Sequence, residues 1–306
     1  MTNIWKRVTA SLHKGDLTMA NGEFILKINS RYSFFTRAEK KVADYVLQDP
    51  KRVLFMSITD LADACEVGDT SVFRFCKTMQ LQGYQEFKML LSLSISDDDD
   101  SGQIASMLSG RITQEDTIED VAKKVLQMNI NALNETYSLL NLDDLSLTID
   151  YMLRAEQIYF FGVGSSLLTA MDAVDKFIRI TPKIRNISDA HLQAMAASIL
   201  SPKDLAFVIS YSGATKDTIQ VAQQAKKAGA KVACITRFAK SPLTAYSDVT
   251  ILCGTNEGPL QGGSTSARIS QMMLIDLIYM EYFKRTYEQS SANKQKTSGA
   301  VLKKLY

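Results

Sequence analysis

The sequence predicts an all-α helix-turn-helix domain followed by an α/β three-layer sandwich with a parallel five-stranded sheet. Two short amphipathic segments, Ile58–Cys65 and Val72–Met79, repeat the i, i+3, i+4, i+7 spacing on either side of Glu66-Val67-Gly68. From Leu145 onward, five short apolar runs alternate with stretches of helical periodicity. Between these regions the charge balance inverts. Residues 1–92 carry 13 basic and 10 acidic side chains, residues 93–156 carry 4 and 13, and residues 157–306 carry 18 and 10. Helical periodicity that gives way to buried strands marks separate domains, and an acidic stretch between them reads as a linker.

The totals bound what the chain can be. At 306 residues and 46% hydrophobic content it has room for two domains, and its net charge of +2 is too small to demand nucleic acid by itself. No apolar run approaches the roughly 18 residues of a transmembrane helix, so no membrane partner is expected. Met1–Arg7 lacks the continuous apolar core of a signal peptide. Cys65, Cys76, Cys234 and Cys253 are scattered among apolar neighbours without C-x-x-C spacing. They read as reduced core residues of a cytoplasmic protein. With His13 and His191 as its only histidines, the chain excludes a histidine-rich metal centre.

Residues 1–23 show no sustained periodicity and are expected to form an extension, with no function assigned to residues 1–18. A helical domain is expected over residues 24–94. Its first clear helix starts at Thr36, with Ala38, Val42, Tyr45 and Val46 on one face, and stops at Asp49-Pro50 because a residue before proline avoids helical backbone. A short helix over Lys51–Phe55 follows. Ser57 and Asp60 then form a capping-box-like start for the first helix of the pair, and Asp69, Thr70 and Ser71 open the second. On that second helix Thr70, Arg74 and Lys77 fall at i, i+4, i+7, opposite the apolar stripe. Such a face suits phosphate and base-edge contacts; a hairpin that merely packs is the alternative, and the near neutrality of residues 30–92 speaks for it. Phe87, Leu90 and Leu91 suggest one further helix.

An acidic linker is expected over 95–116, with Asp97–Asp100 too closely spaced for a calcium loop. A connecting helix over 117–144 carries the stripe Ile118, Val121, Ala122, Val125, Met128, Ala132 and Leu133, long enough to bridge domains or meet a partner subunit. The α/β domain spans 145–288. Its strands are Gln157–Phe161, Ile184–Ile187, Leu205–Ile209, Val232–Ile235 and Val249–Leu252. Its helices are Leu167–Ile180, Leu192–Leu200, Thr215–Ala228 and Ser266–Thr286. Residues 289–306 read as a loose basic tail.

Two loops stand where strands give way to helices: Gly162-Val163-Gly164-Ser165-Ser166 and Ser210-Tyr211-Ser212-Gly213-Ala214-Thr215. Taken alone, the second is either a serine-rich connection or an anion cradle of free helix N–H groups, short hydroxyls and a permissive glycine. A dinucleotide reading of the first fails. Its third glycine position is Leu167, and no acid stands near Thr181-Pro182-Lys183 to hold a ribose. A pair of hydroxyl-rich loops suits a compact phosphate monoester. No cofactor and no metal are called for.

With both loops in order, the region from Leu145 to Tyr287 resembles a sugar isomerase (SIS) domain, whose marks are a Gly-x-Gly-x-Ser loop and a Ser-x-Ser-Gly-x-Thr loop. Together with Ala38–Tyr45 and Val72–Lys77, the chain from Phe24 to Tyr287 resembles the RpiR-type bacterial transcription regulators. The resemblance implies a homodimer or homotetramer that binds a double-stranded DNA operator and a phosphosugar effector. It places Ser166, Ser210, Ser212 and Thr215 on the phosphate, with Ser165 close by, and Thr70, Ser71, Arg74 and Lys77 on DNA. Gly68 stands where the family usually has a capping serine, so Asp69 is expected to cap. Ala214 stands where many SIS proteins have glutamate. The SIS fold also serves isomerases, which need a general base. Of His191, Asp189 and Glu257, the reading favours Asp189 as a helix cap and His191 as a sugar contact, hence a sensor without turnover. Gly262–Arg268 opens the last helix, with Ser264 as a further sugar contact or a cap.

Overall fold

The structure is a computed structural model that describes residues 23–95, 112, 114–254 and 266–302. Residues 1–22 of the expected extension, the Asp97–Gly102 run, Glu257 and Ser264 lie outside the described residues. Two compact units meet at Gln114/Glu115 along the chain.

The first unit is helical: α1 (Glu23–Arg31), a 3-10 turn (Tyr32–Phe34), α2 (Arg37–Gln48), α3 (Pro50–Val53), α4 (Ile58–Ala64), α5 (Asp69–Thr78) and α6 (Tyr84–Ile95). Thr36 with Glu39 and Ser57 with Asp60 form reciprocal capping boxes that start α2 and α4. The aromatic core is continuous. Phe75 lies 5.1 Å from Phe35 and 5.6 Å from Phe87, and Phe24 of α1 lies 5.7 Å from Phe87, in tilted or edge arrangements that suit ring quadrupoles. Helix α1 has no counterpart in the sequence reading. Phe24 and Ile28 are buried on its apolar face and Ile25 packs beside them, so this short helix is held by the core it covers.

Glu39 ties this unit together. Its Oε2 accepts from the Thr36 N–H at 2.8 Å and the Thr36 hydroxyl at 2.9 Å, and its Oε1 accepts from Thr78 Oγ1 at 2.8 Å, joining the start of α2 to the end of α5. Arg31 donates to the Thr78 carbonyl oxygen at 2.8 Å from the other side. Burial pushes the Glu39 carboxyl up. The bonds from Thr36 and Thr78 and the Arg74 charge outweigh that, leaving it below the usual glutamate value.

The second unit contains α7 (Ile118–Ser138), α8 (Leu142–Arg154), β1 (Gln157–Phe161), α9 (Ser165–Phe177), β2 (Ile184–Asn186), α10 (Ala190–Ser198) and β3 (Asp204–Ile209). It continues through α11 (Lys216–Lys227), β4 (Lys231–Thr236), a 3-10 turn (Thr244–Tyr246), β5 (Val249–Leu252), α12 (Ser266–Arg285) and α13 (Tyr287–Leu302). All strand pairs are parallel, in the order β2-β1-β3-β4-β5. Strand β3 shows why the sheet needs helices on both faces. Leu205, Phe207 and Ile209 enter one core with α8, α9 and α12, whereas Ala206 and Val208 enter another with α10 and α11.

Two expectations are corrected. Residues 287–302 form α13 rather than a loose tail. Its polar composition hid its anchors: Asn293 Nδ2 donates to the Ile180 carbonyl oxygen at 2.9 Å, Thr297 Oγ1 donates to that of Arg179 at 3.0 Å, and Tyr287 meets Phe283 edge-on. The connecting helix expected over 117–144 is shorter: α7 ends at Ser138, and Asn141 caps a separate helix that starts at Leu142. Ala132 and Thr136 are buried, with Thr136 Oγ1 donating to the Ala132 and Gly254 carbonyl oxygens, but Ile118 is 88% exposed and Leu126 61%.

Replacing Glu39 by glutamine should lower stability at pH 7 by about 1–3 kcal/mol, the usual cost of weakening hydrogen bonds to a charged group. Because the folded carboxyl lies below its unfolded value of 4.5, its stabilisation is present above that pH and fades as pH falls through the folded value. Denaturant titrations of both chains should therefore converge in acid.

Candidate functional site

The strand order reverses direction between β1 and β3, since the chain leaves β1 towards β2 on one side and β3 towards β4 on the other. In an open parallel sheet this switch point leaves a crevice beyond the carboxyl ends of the strands. The register pairs Phe161 of β1 with Val208 of β3, so Gly162–Ser166 and Ser210–Thr215 leave the sheet side by side at that crevice.

In the first loop, a Cβ on Gly162 would come within 2.8 Å of the Ser166 carbonyl oxygen. Only glycine lets α9 begin that close to the strand end. Gly164 caps α9 with a φ of 59° and supplies no side-chain acceptor. Ser165 is half-buried and Ser166 buried in the first turn. Gln193 of α10 holds this loop from below, donating from Nε2 to the carbonyl oxygens of Gly162 at 2.9 Å and Ile187 at 2.7 Å.

The second loop is braced from the β4 side. The N–H groups of Ser210 and Arg237 donate to the carbonyl oxygens of Ile235 and Tyr211, each at 3.0 Å, and the Leu243 N–H donates to the Gly213 carbonyl oxygen at 2.9 Å. Ser210 is buried; Ser212 Oγ accepts from the Ala214 N–H at 3.2 Å, which fixes the turn. Gly213 has a φ of 60°, and a Cβ there would lie 2.3 Å from Ser241 Oγ, so both backbone conformation and space require glycine. Arg237 Nη1 donates to the Tyr211 hydroxyl at 3.0 Å.

The helix starts differ in how they are satisfied. Thr215 caps α11, yet its side chain makes no cap hydrogen bond, and neither does Gly164 on α9. Neither helix start thus receives a bond from its cap side chain, and the helix dipoles direct their positive ends at the crevice. At α10 the Asp189 carboxylate accepts from the Leu192 N–H at 2.9 Å, the capping role expected of it. His191 is exposed in the first turn of α10, at the same edge of the sheet.

In the helical unit, α5 buries Val72, Phe75 and Cys76 and leaves Thr70, Arg74 and Lys77 exposed, with Ser71 half-buried. Lys77 Nζ sits 5.3 Å over the Phe73 ring. One detail of the turn before α5 departs from expectation. Asp69 does not cap: its Oδ2 accepts from Thr59 Oγ1 at 2.9 Å, tying α5 to α4, and Gly68 caps without a side chain. The left-handed residue is Glu66, with a φ of 52°, while Gly68 is extended.

Burial pushes the Cys65 thiol up to about 11 and those of Cys76 and Cys253 to about 12. All four cysteines are free and buried, as their apolar neighbours suggest. Among the described residues no cluster of three or more histidine, cysteine or acidic side chains could hold a metal, and no helix is long and apolar enough to cross a membrane.

Sequence reasoning missed Gln193, Arg237 and Ser241. Arg237 was accessible in principle, since it directly follows an apolar strand at the ligand-binding edge of the sheet. Gln193 and Ser241 act through contacts far along the chain, which carry no local pattern.

A helical unit with an exposed recognition-type helix, followed in one chain by a parallel sheet with hydroxyl-lined loops at its switch point, defines a helix-turn-helix regulator with a SIS domain. The comparisons agree. Residues 22–98 match the helix-turn-helix domain of the rpiR family, and residues 151–281 match the SIS domain. The chain is 35% identical over 260 residues to an uncharacterized HTH-type transcriptional regulator of Caldanaerobacter subterraneus, covering 85% of this chain and 90% of that protein. It is 29% identical over 266 residues to the HTH-type transcriptional regulator RpiR of Escherichia coli K12, covering 87% and 88%. The structure of the Vibrio vulnificus NanR protein complexed with ManNAc-6P superimposes with a TM-score of 0.79 at 28% identity, covering 92% of this chain and 99% of that one. The chain belongs to the RpiR family of transcription regulators.

Gly162→Ala should force α9 away from β1 and cost about 1–3 kcal/mol, as over-packing at a backbone contact does. A thermal melt that leaves the midpoint unchanged would show that the first loop is looser than this geometry.

Proposed function

We propose that this regulator holds a phosphosugar at the β1–β3 switch point and releases its DNA operator when that effector binds. The observation that carries the proposal is the pair of adjacent loops whose helices, α9 and α11, start without a side-chain cap. An oxyanion accepting from those N–H groups would satisfy them, and Ser166, Ser210, Ser212 and Thr215 add short hydroxyl donors around it, with Ser165 beside them. His191 and Ser264 are assigned to the sugar. The ManNAc-6P in the NanR complex makes that compound the first candidate effector.

The operator is assigned to α5. Arg74 and Lys77 provide cations, and Thr70 and Ser71 stand at a helix start where no side chain accepts, an arrangement suited to a DNA phosphate. We assign no catalytic turnover to the SIS domain. Asp189 is engaged as a cap, and Ala214 puts no carboxylate in the second loop. A homo-oligomer, dimer or tetramer, would match a palindromic operator, and the exposed apolar residues of α7 support one. The absence of a membrane-spanning helix among the described residues accords with work in the cytoplasm.

Arg74→Ala should weaken operator binding at least tenfold, the scale of losing one well-placed phosphate or base contact. Stabilisation of the protein by the effector in a thermal-shift assay should remain. Ser212→Ala should do the reverse, keeping operator affinity while losing the response to ManNAc-6P or to whichever phosphosugar of a panel stabilises the parent. Operator binding undiminished by Arg74→Ala would remove α5 from the interface, and product formation from any sugar phosphate would replace the sensor by an isomerase.

For the assembly, Val125→Glu combined with Leu126→Glu should lower the mass measured by light scattering towards that of a single 34.0 kDa chain. An unchanged mass would place the subunit contact elsewhere.

A further inference from the structure

Away from the switch point, the second unit contains a concavity of about 740 Å³ between the edge strand β2, the end of α9, and helices α12 and α13. Its size is that of a metabolite site, commonly about 300–1,000 Å³. Ile178, Ile180, Ile184 and Tyr282 supply apolar walls. Lys183, in the turn just before β2, and Arg185 on β2 join Lys296 of α13 as its charged groups. None of the residues lining it is acidic.

These three cations have no acidic partner among the described residues. Lys183 Nζ donates to the Leu153 carbonyl oxygen at 2.9 Å, and Arg185 Nη1 donates to the carbonyl oxygens of Pro182 at 2.9 Å and Ile184 at 2.7 Å. Burial holds the Lys183 ammonium below the usual lysine value, so it is a cation partly removed from water with only a carbonyl to face. A mostly apolar hollow with convergent positive charge and no negative charge is complementary to an organic anion with an apolar body.

We infer that this hollow is a second ligand site, separate from the switch-point crevice, for an anion that joins a carboxylate or phosphate head to an apolar body. Lys183, Arg185 and Lys296 take the head, and the isoleucines with Tyr282 take the body. A bound molecule also spans β2 and α13. That helix is fastened to the end of α9 by the Asn293 and Thr297 bonds described above, so occupancy ties it down further.

Isothermal titration of the full chain with octanoate, octyl phosphate, octanol and inorganic phosphate tests the assignment. Octanoate or octyl phosphate should bind saturably, and the tighter of the two identifies the head group. Octanol, which lacks the charge, should bind at least tenfold more weakly. Inorganic phosphate lacks the body and should not compete with the tighter probe. Lys296→Glu, alone and with Arg185→Glu, changes exposed side chains and should weaken the probe at least tenfold while leaving effector-induced stabilisation intact. Ser212→Ala should leave probe binding unchanged, which separates this site from the proposed effector crevice. The inference is overturned if neither anion saturates, if octanol equals them, if the charge reversals have no effect, or if Ser212→Ala abolishes binding.

Discussion

A parallel sheet buried on both faces has a single edge at which all strands end, and the effector site of the SIS domain depends on where its order reverses. Here the reversal falls between β1 and β3. Helices leaving these neighbouring strands must diverge, so their first turns open a crevice lined by backbone N–H groups rather than by packed side chains. Gly162 permits the close start of α9, and Gly213 permits the left-handed turn that Ser241 and Leu243 brace from behind. The loops are therefore set before any ligand arrives, and anion binding has little ordering cost to overcome.

The helical unit is organised on the same economy with different parts. Its polar interactions hold the ends of helices: Thr36–Glu39–Thr78 and Arg31–Thr78 fix α5 at one end, and Thr59–Asp69 fixes it at the other. The solvent face of α5 is then left to Thr70, Arg74 and Lys77. A helix fixed by its buried side and its two ends presents that face at a constant angle, which groove recognition requires. The surface ion pair Lys41–Glu66 at 3.2 Å contributes little beside these, since both side chains are well exposed.

Much of this was legible before the coordinates. The apolar runs Leu205–Ile209 and Val232–Ile235 fall inside β3 and β4, because a strand buried on both faces leaves a continuous apolar signature. The capping boxes at Thr36 and Ser57 coincide with the helix starts read from the sequence. Helix α13 was not legible, since it is held by a few long-range contacts and shows little period of its own, whereas α1 carries an apolar face but is only nine residues long. Asp69 was misread because capping is the common role of such a residue, and nothing local reveals that Thr59 competes for it. The two loops were found by residue type, but their adjacency comes only from the register of β1 with β3. Gln193 was hidden for the same reason, since its partners Gly162 and Ile187 come together only in the fold.

The proposed effector site puts a phosphate on the N-termini of α9 and α11. Amide hydrogen exchange of the full chain, with and without a saturating phosphosugar selected by thermal shift, tests it most directly. Slowed exchange should be greatest over Gly164–Leu167 and Ser212–Thr218. Protection that leaves those amides unchanged, and falls instead on β2 and α13, would contradict that placement.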